Sequence, residues 1–416
     1  MPPTTRVRQL VPAVFLVGLA LALGACGGGP YPNSTFNHHT DFNTDVDALW
    51  DKLLFWGTLV FIVVEGVLVY TIIKFRKREG APPPQMTHGN TALEITWTVV
   101  PIFILLIIAV PTVKTIFKTQ APAPAGSLEI EVIGHQWWWE YKYPQYQFST
   151  ANEFYIPTGR TVNFTLRTID VLHSFWVPQM GGKRDLISTR TNHMWYTPNA
   201  DLESSVWNGF CTEYCGDSHA NMRIRAFTVT PAEFDQWVAG QKAPAAVQAP
   251  APTPPPASKT ASTAATNATQ ATATPAPGWF FPAERLPDHV IPKTPTPASL
   301  TFDDALLAQG DVERGRQLFA TAACVGCHML TSAPITFTGP TLAHIATRHT
   351  IASGIFPNDG PHLARWIKNS AKMKPGSKMY VFGAGEVHPV TKQVMPTAKL
   401  TDAQIADLVA YLRALK

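Results

Sequence analysis

The sequence predicts a multidomain membrane protein: a two-helix transmembrane hairpin, then an all-β sandwich, then an all-α domain. Three observations predict it. Two apolar runs, 53–73 and 95–113, carry a single charge between them. Beyond residue 128 the apolar spacing shifts to an alternation of two, and near residue 300 to a spacing of about 3.6. A stretch rich in Pro, Ala and Thr separates the last two patterns. A chain of 416 residues holds about two to three units of roughly 100–200 residues each. Only 15% of the residues are charged, against about 25% in soluble domains, which agrees with a membrane-borne chain. The net charge of +4 is too weak to suggest a nucleic-acid partner.

The N-terminus reads as a secretory leader. Arg6 and Arg8 precede an apolar stretch, 11–23, that is too short to span a bilayer, and small residues follow it. Leu23-Gly24-Ala25-Cys26 resembles the lipobox of bacterial lipoproteins, which implies cleavage before Cys26 and acylation of that cysteine. Plain leader cleavage, with Cys26 a bystander, is the alternative.

The run 53–73 has 21 residues and one charge, Glu65, long enough for about 30 Å of hydrocarbon. The run 95–113 has 19 residues and no charge. Pro101 and Pro111 are expected to bend it, which neighbouring helices tolerate. Lys74, Arg76, Lys77 and Arg78 lie between the runs, so the loop is expected in the cytoplasm and both chain ends outside. The leader independently requires an exported N-terminus. Glu65 is costly in lipid unless it faces protein or water, so the hairpin is expected to pack against a larger membrane partner.

In the exported part, Leu128-Glu129-Ile130-Glu131-Val132 alternates as a strand does. Similar short segments continue to Thr230, and the first amphipathic helix is expected at 231–241. Short strands with turn signals imply an antiparallel sandwich or barrel. Residues 243–277 hold eight prolines and one charge, Lys259, a composition for an extended linker and not for a core. Helices are expected at 303–321, 361–369 and 401–415, the last with Thr401 as its N-cap.

Five cysteines in two tight pairs and a singleton do not make a disulfide framework. Cys211, Cys215, His219 and Met222 fall within twelve residues. Two thiolates, an imidazole and a thioether are a copper set, whereas zinc sites rarely use Met. A single copper of the blue type leaves one thiolate spare, and two thiolates bridging two coppers use both. Such a centre needs one more nitrogen ligand, for which His173 is the candidate. A disulfide, or a buried thiol pair beside an incidental His, is the bland reading.

The motif CxExCGxxHxxM at 211–222, with DVLHSxxVP at 170–178, LEITWTVVP at 93–101 and GHQWWWEY at 134–141, resembles subunit II of haem-copper cytochrome c oxidase. The resemblance covers roughly residues 40–242. It implies a cupredoxin-like sandwich with a binuclear copper A centre. His173 and Met222 would serve one copper, His219 and the main-chain carbonyl of Glu213 the other, and Cys211 and Cys215 would bridge both. It also implies a magnesium ion bound by the Glu213 carboxylate and shared with subunit I. Trp137 would be the residue through which electrons reach the copper. Trp138 stands where the family commonly has Tyr, and Trp139 is read as packing. Alternate rings on a strand face opposite sides, so at least one of these three is expected near the surface. Glu94 would lie at the mouth of a proton pathway into subunit I, the alternative being a solvated carboxylate. Quinol oxidases share the fold but lack the copper ligands.

Cys324-Val-Gly-Cys327-His328 is a CxxCH motif. Two thioether bonds through Cys324 and Cys327 would tether a haem c, with His328 as its proximal iron ligand. The context, GRQLFATAACVGCHML followed by TGPTL, resembles a class I cytochrome c. A Met is expected as sixth ligand. Met379, in a PGSKM segment, is favoured over Met395, which precedes a proline, and Met373 is read as packing or surface. His344, His349, His362 and His388 are read as surface residues. The insertion 380–394 departs from compact relatives.

The expected organisation is a leader at 1–25, an exported segment at 26–50, spanning helices at 51–76 and 93–118, and a cytoplasmic loop at 77–92 between them. A copper domain at 124–242, a linker at 243–300 and a cytochrome c domain at 301–416 complete the chain. The whole most resembles subunit II of a caa-type oxidase, a proton-translocating enzyme complex of the bacterial inner membrane. That implies subunits I and III as partners. A soluble or membrane-bound cytochrome c, or an upstream respiratory complex, would be the donor. The implied route runs from this donor through haem c and copper A to the haem-copper site of subunit I, where oxygen becomes water. The rivals are the electron-input subunit of a copper-A-containing nitric oxide reductase, and a membrane-anchored electron-carrier lipoprotein.

Overall fold

The computed structural model describes residues 18, 31–80, 86, 88–245, 247 and 279–416. The chain divides into two compact units, Met1–Ser34 and Thr35–Lys416, and the long helices, the sandwich and the C-terminal helical domain all belong to the second. The leader apart from Gly18, Cys26, and residues 248–278 lie outside the described residues.

Helix α1 (Asp41–Lys74) and helix α2 (Thr91–Gln120) are long and apolar enough to cross a membrane. Side-chain oxygens cap both N-termini: Thr40 accepts from the Asn43 amide, and Asn90 from those of Ala92 and Leu93. Their apolar side chains face outward, Phe61 being 64% exposed and Phe117 74%, the surface that lipid or a partner would cover. Helix α2 runs unbroken through Pro101 and Pro111. Helix α1 starts ten residues before the boundary expected from its apolar run, because its first turn belongs to the sandwich. Thr40 Oγ1 donates to the Met180 carbonyl (2.5 Å), Asn43 Nδ2 to the Pro178 carbonyl (2.8 Å), and the Thr197 amide to Asp41 Oδ1 (2.7 Å).

Ten strands come next in the chain: β1 (Leu128–His135), β2 (Trp138–Tyr143), β3 (Phe148–Ala151), β4 (Glu153–Pro157), β5 (Val162–Thr168), β6 (His173–Trp176), β7 (Arg184–Leu186), β8 (Asn192–Tyr196), β9 (Ser205–Cys211) and β10 (Arg223–Val229). They form two five-stranded sheets, ordered β3-β2-β1-β5-β8 and β4-β10-β9-β6-β7. The sheets are mixed and not antiparallel throughout, since β1 pairs with β5, and β4 with β10, in parallel. Alternation within a strand says which face is buried and nothing about the direction of its neighbour, so the sequence is silent on this. Trp139, Tyr141, Phe154, Phe164 and Phe175, all fully buried, fill the space between the sheets. Helix α3 (Pro231–Lys242) is held by a Thr230/Glu233 capping box and seats Trp237 on the Tyr155 ring at 4.5 Å.

The linker expected at 243–300 is not free over its second half. Phe281 is fully buried in the sandwich core, Arg285 pairs with Glu233 (2.9 Å), and Arg225 Nε donates to the Val290 carbonyl (3.2 Å). Proline frequency hid these few anchors.

The C-terminal domain packs α4 (Val312–Thr321), α5 (Gly360–Met373) and α6 (Asp402–Ala414) around one core. The helix expected over 303–321 is instead a short turn, Asp304–Gln309, followed by α4, whose N-cap is Asp311. Helix α5 runs to Met373 with a break at Asn369. Between α4 and α5 lies a two-strand ladder, β11 (Thr350–Ile351) with β12 (Phe356–Pro357), whose Thr350 amide and hydroxyl bond Glu153 of the sandwich. Helix α4 meets α6 at Gly315, where an added Cβ would collide with the Asp407 carbonyl oxygen.

Candidate metal centres

The first cluster is built where β6 lies beside β9. Their register sets Phe175 opposite Cys211, which brings His173, at the start of β6, to the end of β9. The loop from Cys211 to Met222 then folds back, closed by the Cys211 amide donating to the Met222 carbonyl at 3.0 Å. Cys211 Sγ lies 3.8 Å from Cys215 Sγ and 3.8 Å from His173 Nδ1. Cys215 Sγ lies 3.7 Å from His219 Nδ1 and 3.9 Å from Met222 Sδ. The Glu213 carbonyl oxygen is 3.3 Å from Cys211 Sγ. His173 and Met222 are fully buried. Gly134 leaves room for the His173 ring, which a Cβ there would meet at 2.7 Å.

Asp170 reads in the sequence only as one letter of a motif, and the structure gives it a distinct place. Its Oδ1 accepts from His173 Nε2 at 2.9 Å and its Oδ2 from the Gln136 amide at 2.7 Å. With Nε2 committed to the carboxylate, Nδ1 is left to face the sulfurs, the outer-shell arrangement common around metal-ligating His. Burial alone would lower the His173 pKa, but its bonds to Asp170 and Cys211 raise it. The two thiols titrate against each other. The Cys215 hydrogen bond stabilises the Cys211 thiolate and brings it down to about 4, and that thiolate together with burial drives Cys215 far up. Removing both protons therefore calls for strong cationic charge between the sulfurs, as bound metal supplies. The donor set of two sulfurs, two imidazole nitrogens, a thioether and a carbonyl fits copper.

The second site is a cavity of about 280 Å³ where the C-terminal domain meets the sandwich, lined by Cys324, Cys327, His328, Trp366, Met379 and Leu408 among others. His328 Nδ1 lies 2.8 Å from the Pro340 carbonyl, which can only accept, so Nδ1 carries the proton and Nε2 stays free to ligate. Gly339 makes space for this ring, since a Cβ there would sit 2.8 Å from His328 Cε1. Two thiols, a free imidazole nitrogen and a thioether on one apolar cavity fit a tethered haem. Met379 lines the cavity. Met395 does not and is half-buried elsewhere, while Met373 is packed in the helical core. Of the histidines read as surface residues none lines the cavity. His344 is a correction, being only 3% exposed, and His349 stacks on Phe227.

The two sites meet at Trp137. Its indole Nε1 donates to the Cys215 carbonyl at 2.9 Å, and the residue also lines the cavity around His328. Trp137 is 9% exposed. Trp138 is the half-buried ring of the three, stacked on His135 at 3.9 Å, and Trp139 is fully buried with its edge on Phe175. Glu94 lies exposed in the first turn of α2, remote in sequence and element from both sites.

Residues 39–115 match the family "Cytochrome C oxidase subunit II, transmembrane domain", 147–229 match "Cytochrome C oxidase subunit II, periplasmic domain", and 312–416 match "Cytochrome c". Cytochrome c oxidase subunit 2 of Alkalihalophilus pseudofirmus is 32% identical over 364 residues, covering 86% of this chain and 83% of that one. The protein of the same name from Bacillus sp. strain PS3 is 30% identical over 360 residues, covering 82% and 80%. A solved structure of the periplasmic domain of subunit II of the Bradyrhizobium japonicum cytochrome oxidase is 31% identical, covers 28% of this chain and 94% of that one, and has a TM-score of 0.27. A subunit II periplasmic domain implies copper A, a cytochrome c domain implies haem c, and the two donor sets fit them. Two spanning-length helices, a sandwich with a sulfur-rich loop and a CxxCH domain behind it are thus one architecture, and the chain belongs to the cytochrome c oxidase subunit II family, in its caa-type form with a fused cytochrome c domain.

Proposed function

We propose that this chain is the electron-input subunit of a proton-translocating terminal oxidase. Electrons would pass from an external donor through covalently held haem c to binuclear copper A and on to the haem-copper site of subunit I. When bound, the two groups would supply reversible one-electron chemistry. The chain's residues do the rest. Cys324 and Cys327 would tether the haem, His328 and Met379 would hold its iron, and Pro340 fixes the His328 tautomer. Cys211 and Cys215, with His173, His219, Met222 and the Glu213 carbonyl, would hold the copper, and Asp170 aims His173. The observation that carries the reading is Trp137, with its indole bonded to the Cys215 carbonyl and its body on the wall of the His328 cavity.

Further parts of the proposal rest on the sequence. The loop 77–92 faces the cytoplasm and both redox domains face the outer side of the inner membrane. Cys26 carries lipid. The Glu213 carboxylate holds a magnesium ion at the boundary with subunit I, and Glu94 opens a proton path there. The exposed apolar faces of α1 and α2 and the half-buried Glu65 support a membrane partner. The test is the composition and activity of the complex purified through this chain. The expected result is one covalent haem c and two coppers per chain, a co-purifying haem-copper subunit, and oxygen uptake with reduced cytochrome c. Nitric oxide reduction without oxygen uptake, or a chain that purifies alone, would overturn it.

A further inference from the structure

The C-terminal domain grips the Trp137 backbone. The Trp137 carbonyl accepts two hydrogen bonds from that domain, from Lys374 Nζ at 2.6 Å and Ser353 Oγ at 2.8 Å. Lys374 Nζ also donates to the Ala352 carbonyl at 3.1 Å, so one ammonium ties a carbonyl of each domain. The Trp137 ring is held between two glycines. A Cβ on Gly216, in the copper loop, would meet it at 2.9 Å, and a Cβ on Gly376, two residues after Lys374, at 2.8 Å. Gly376 has φ +75, a conformation that a side chain would also strain.

A wider polar border surrounds this seat. The buried Glu153 carboxylate accepts from the His349 amide and from the amide and hydroxyl of Thr350. Arg225 donates to the Gly354 carbonyl at 2.9 Å, Lys378 to Gln136 Oε1 at 3.0 Å, and Lys142 to Thr336 Oγ1 at 2.7 Å. Glu153, Arg225 and Lys374 are each under 5% exposed. Groups of this kind are stable out of water only when their partners are in place, so separating the domains would strip each of them at once.

We propose that Lys374 is the positioning residue that seats the haem cavity on Trp137, so that the two redox domains work as a pre-docked pair and not as a tethered donor and acceptor that meet by diffusion. This rests on the electron-input reading of the chain. Per event one electron leaves the reduced haem side and one enters the copper side, with no bond or proton changing at Lys374. The electron is replaced by the external one-electron donor.

Burial pushes the Lys374 pKa down to about 7, which shows how costly an ammonium is at this point. A buried charge can often be replaced by an apolar side chain of similar size with little loss of stability. Lys374→Met therefore separates positioning from folding. Lys374→Arg keeps charge and donors.

The experiment uses the intact oxidase complex, with a protease site introduced among residues 255–265. Haem-to-copper transfer is timed after flash photoreduction, and the distance between centres is followed by relaxation of the copper spin by oxidised haem. In wild type, cutting the linker leaves the haem domain bound through gel filtration and the transfer rate essentially unchanged. Lys374→Met slows transfer about tenfold or more, the scale on which small misplacements act, and broadens the spin relaxation, with both optical spectra and the unfolding temperature kept. Lys374→Arg restores most of the rate. Gly376→Ala, a second variant, slows transfer in the same way. A cut wild type that sheds its haem domain, or a Lys374→Met complex that transfers at the wild-type rate, overturns the proposal. A complex lacking haem c or copper altogether would instead overturn the electron-input reading.

Discussion

The Asp170 carboxylate accepts the Nε2 proton of His173 at 2.9 Å, and the opposite nitrogen of that ring lies 3.8 Å from Cys211 Sγ. The ring's two edges are thereby assigned, one to the carboxylate and one to the sulfurs. Asp170→Ala is expected to leave the sandwich folded and to weaken copper retention about 10–100-fold, the usual cost of losing such a partner. Copper content after graded chelator challenge, with the copper spin signal as a second readout, measures it.

Covalent haem attachment is expected to depend on both thiols of the CxxCH motif. Changing Cys324 and Cys327 together to Ser should abolish haem-dependent peroxidase staining of the denatured polypeptide. Met379→Ala should remove the sulfur-to-iron band at the red end of the visible spectrum, and Met395→Ala should leave it. The opposite pattern would move the sixth ligand to Met395.

Trp137→Gln is expected to slow electron transfer from haem to copper by orders of magnitude while both centres keep their spectra. The ring fills the space between Gly216 and Gly376, and Gln cannot. Halving the stretch 248–278 should change the rate far less, because hydrogen bonds to Glu153, Arg225 and the Trp137 carbonyl hold the interface. Rapid kinetics on both variants decides between ring and tether.

Much of this was legible in the sequence, and the division follows sequence distance. The residues from Cys211 to Met222 that would hold copper lie in one short loop, so their spacing survives as a readable motif, and the spanning helices announce themselves by apolar length. Asp170 stands three residues before His173, close enough for the same motif to hold both. Lys374 and Trp137 are 237 positions apart, and nothing periodic links them. Lys374 also sits just before the PGSKM segment of Met379, where a lysine reads as a solvated surface charge. The parallel pairs β1/β5 and β4/β10, and the docking of Phe281, were hidden for the same reason: they are decided by partners and not by local pattern.

Acid should loosen the cytochrome domain through Asp407. Arg314 grips its carboxylate at 2.8 and 2.9 Å, and the Asp311 amide donates to it at 2.7 Å. Burial alone would raise its pKa, but these bonds lower it. A depressed folded pKa means stabilisation that is full above the unfolded value, about 3.9, and lost as pH falls through the folded one. Asp407→Asn should therefore unfold at a lower temperature than wild type at pH 7, with the gap closing in strong acid. Thermal unfolding followed at the haem absorbance reads both.

Gly315→Ala drives a methyl into a main-chain oxygen at the α4–α6 crossing. The helices must move apart, at about 2 kcal/mol or more for overpacking. Haem incorporation and thermal unfolding of the domain should both fall, and an unperturbed domain would show that the crossing is softer than its geometry.

Helix α1 has 34 residues and is about 51 Å long at 1.5 Å per residue. Only its later part is the apolar run, while its first turn is bonded into the sandwich at Met180, Pro178 and Thr197. Helix α2 is fastened at its far end as well, through Trp195 Nε1 donating to the Ala121 carbonyl at 2.7 Å. The sandwich is therefore indexed to the helices like a gear keyed to its shafts. One residue inserted between 46 and 50 would turn α1 by about 100° and lengthen it by about 1.5 Å, forcing the copper loop to a different bearing over the membrane or α1 to unwind. The azimuth of the redox surface is in this way written into the helix count of a segment that carries no ligand at all.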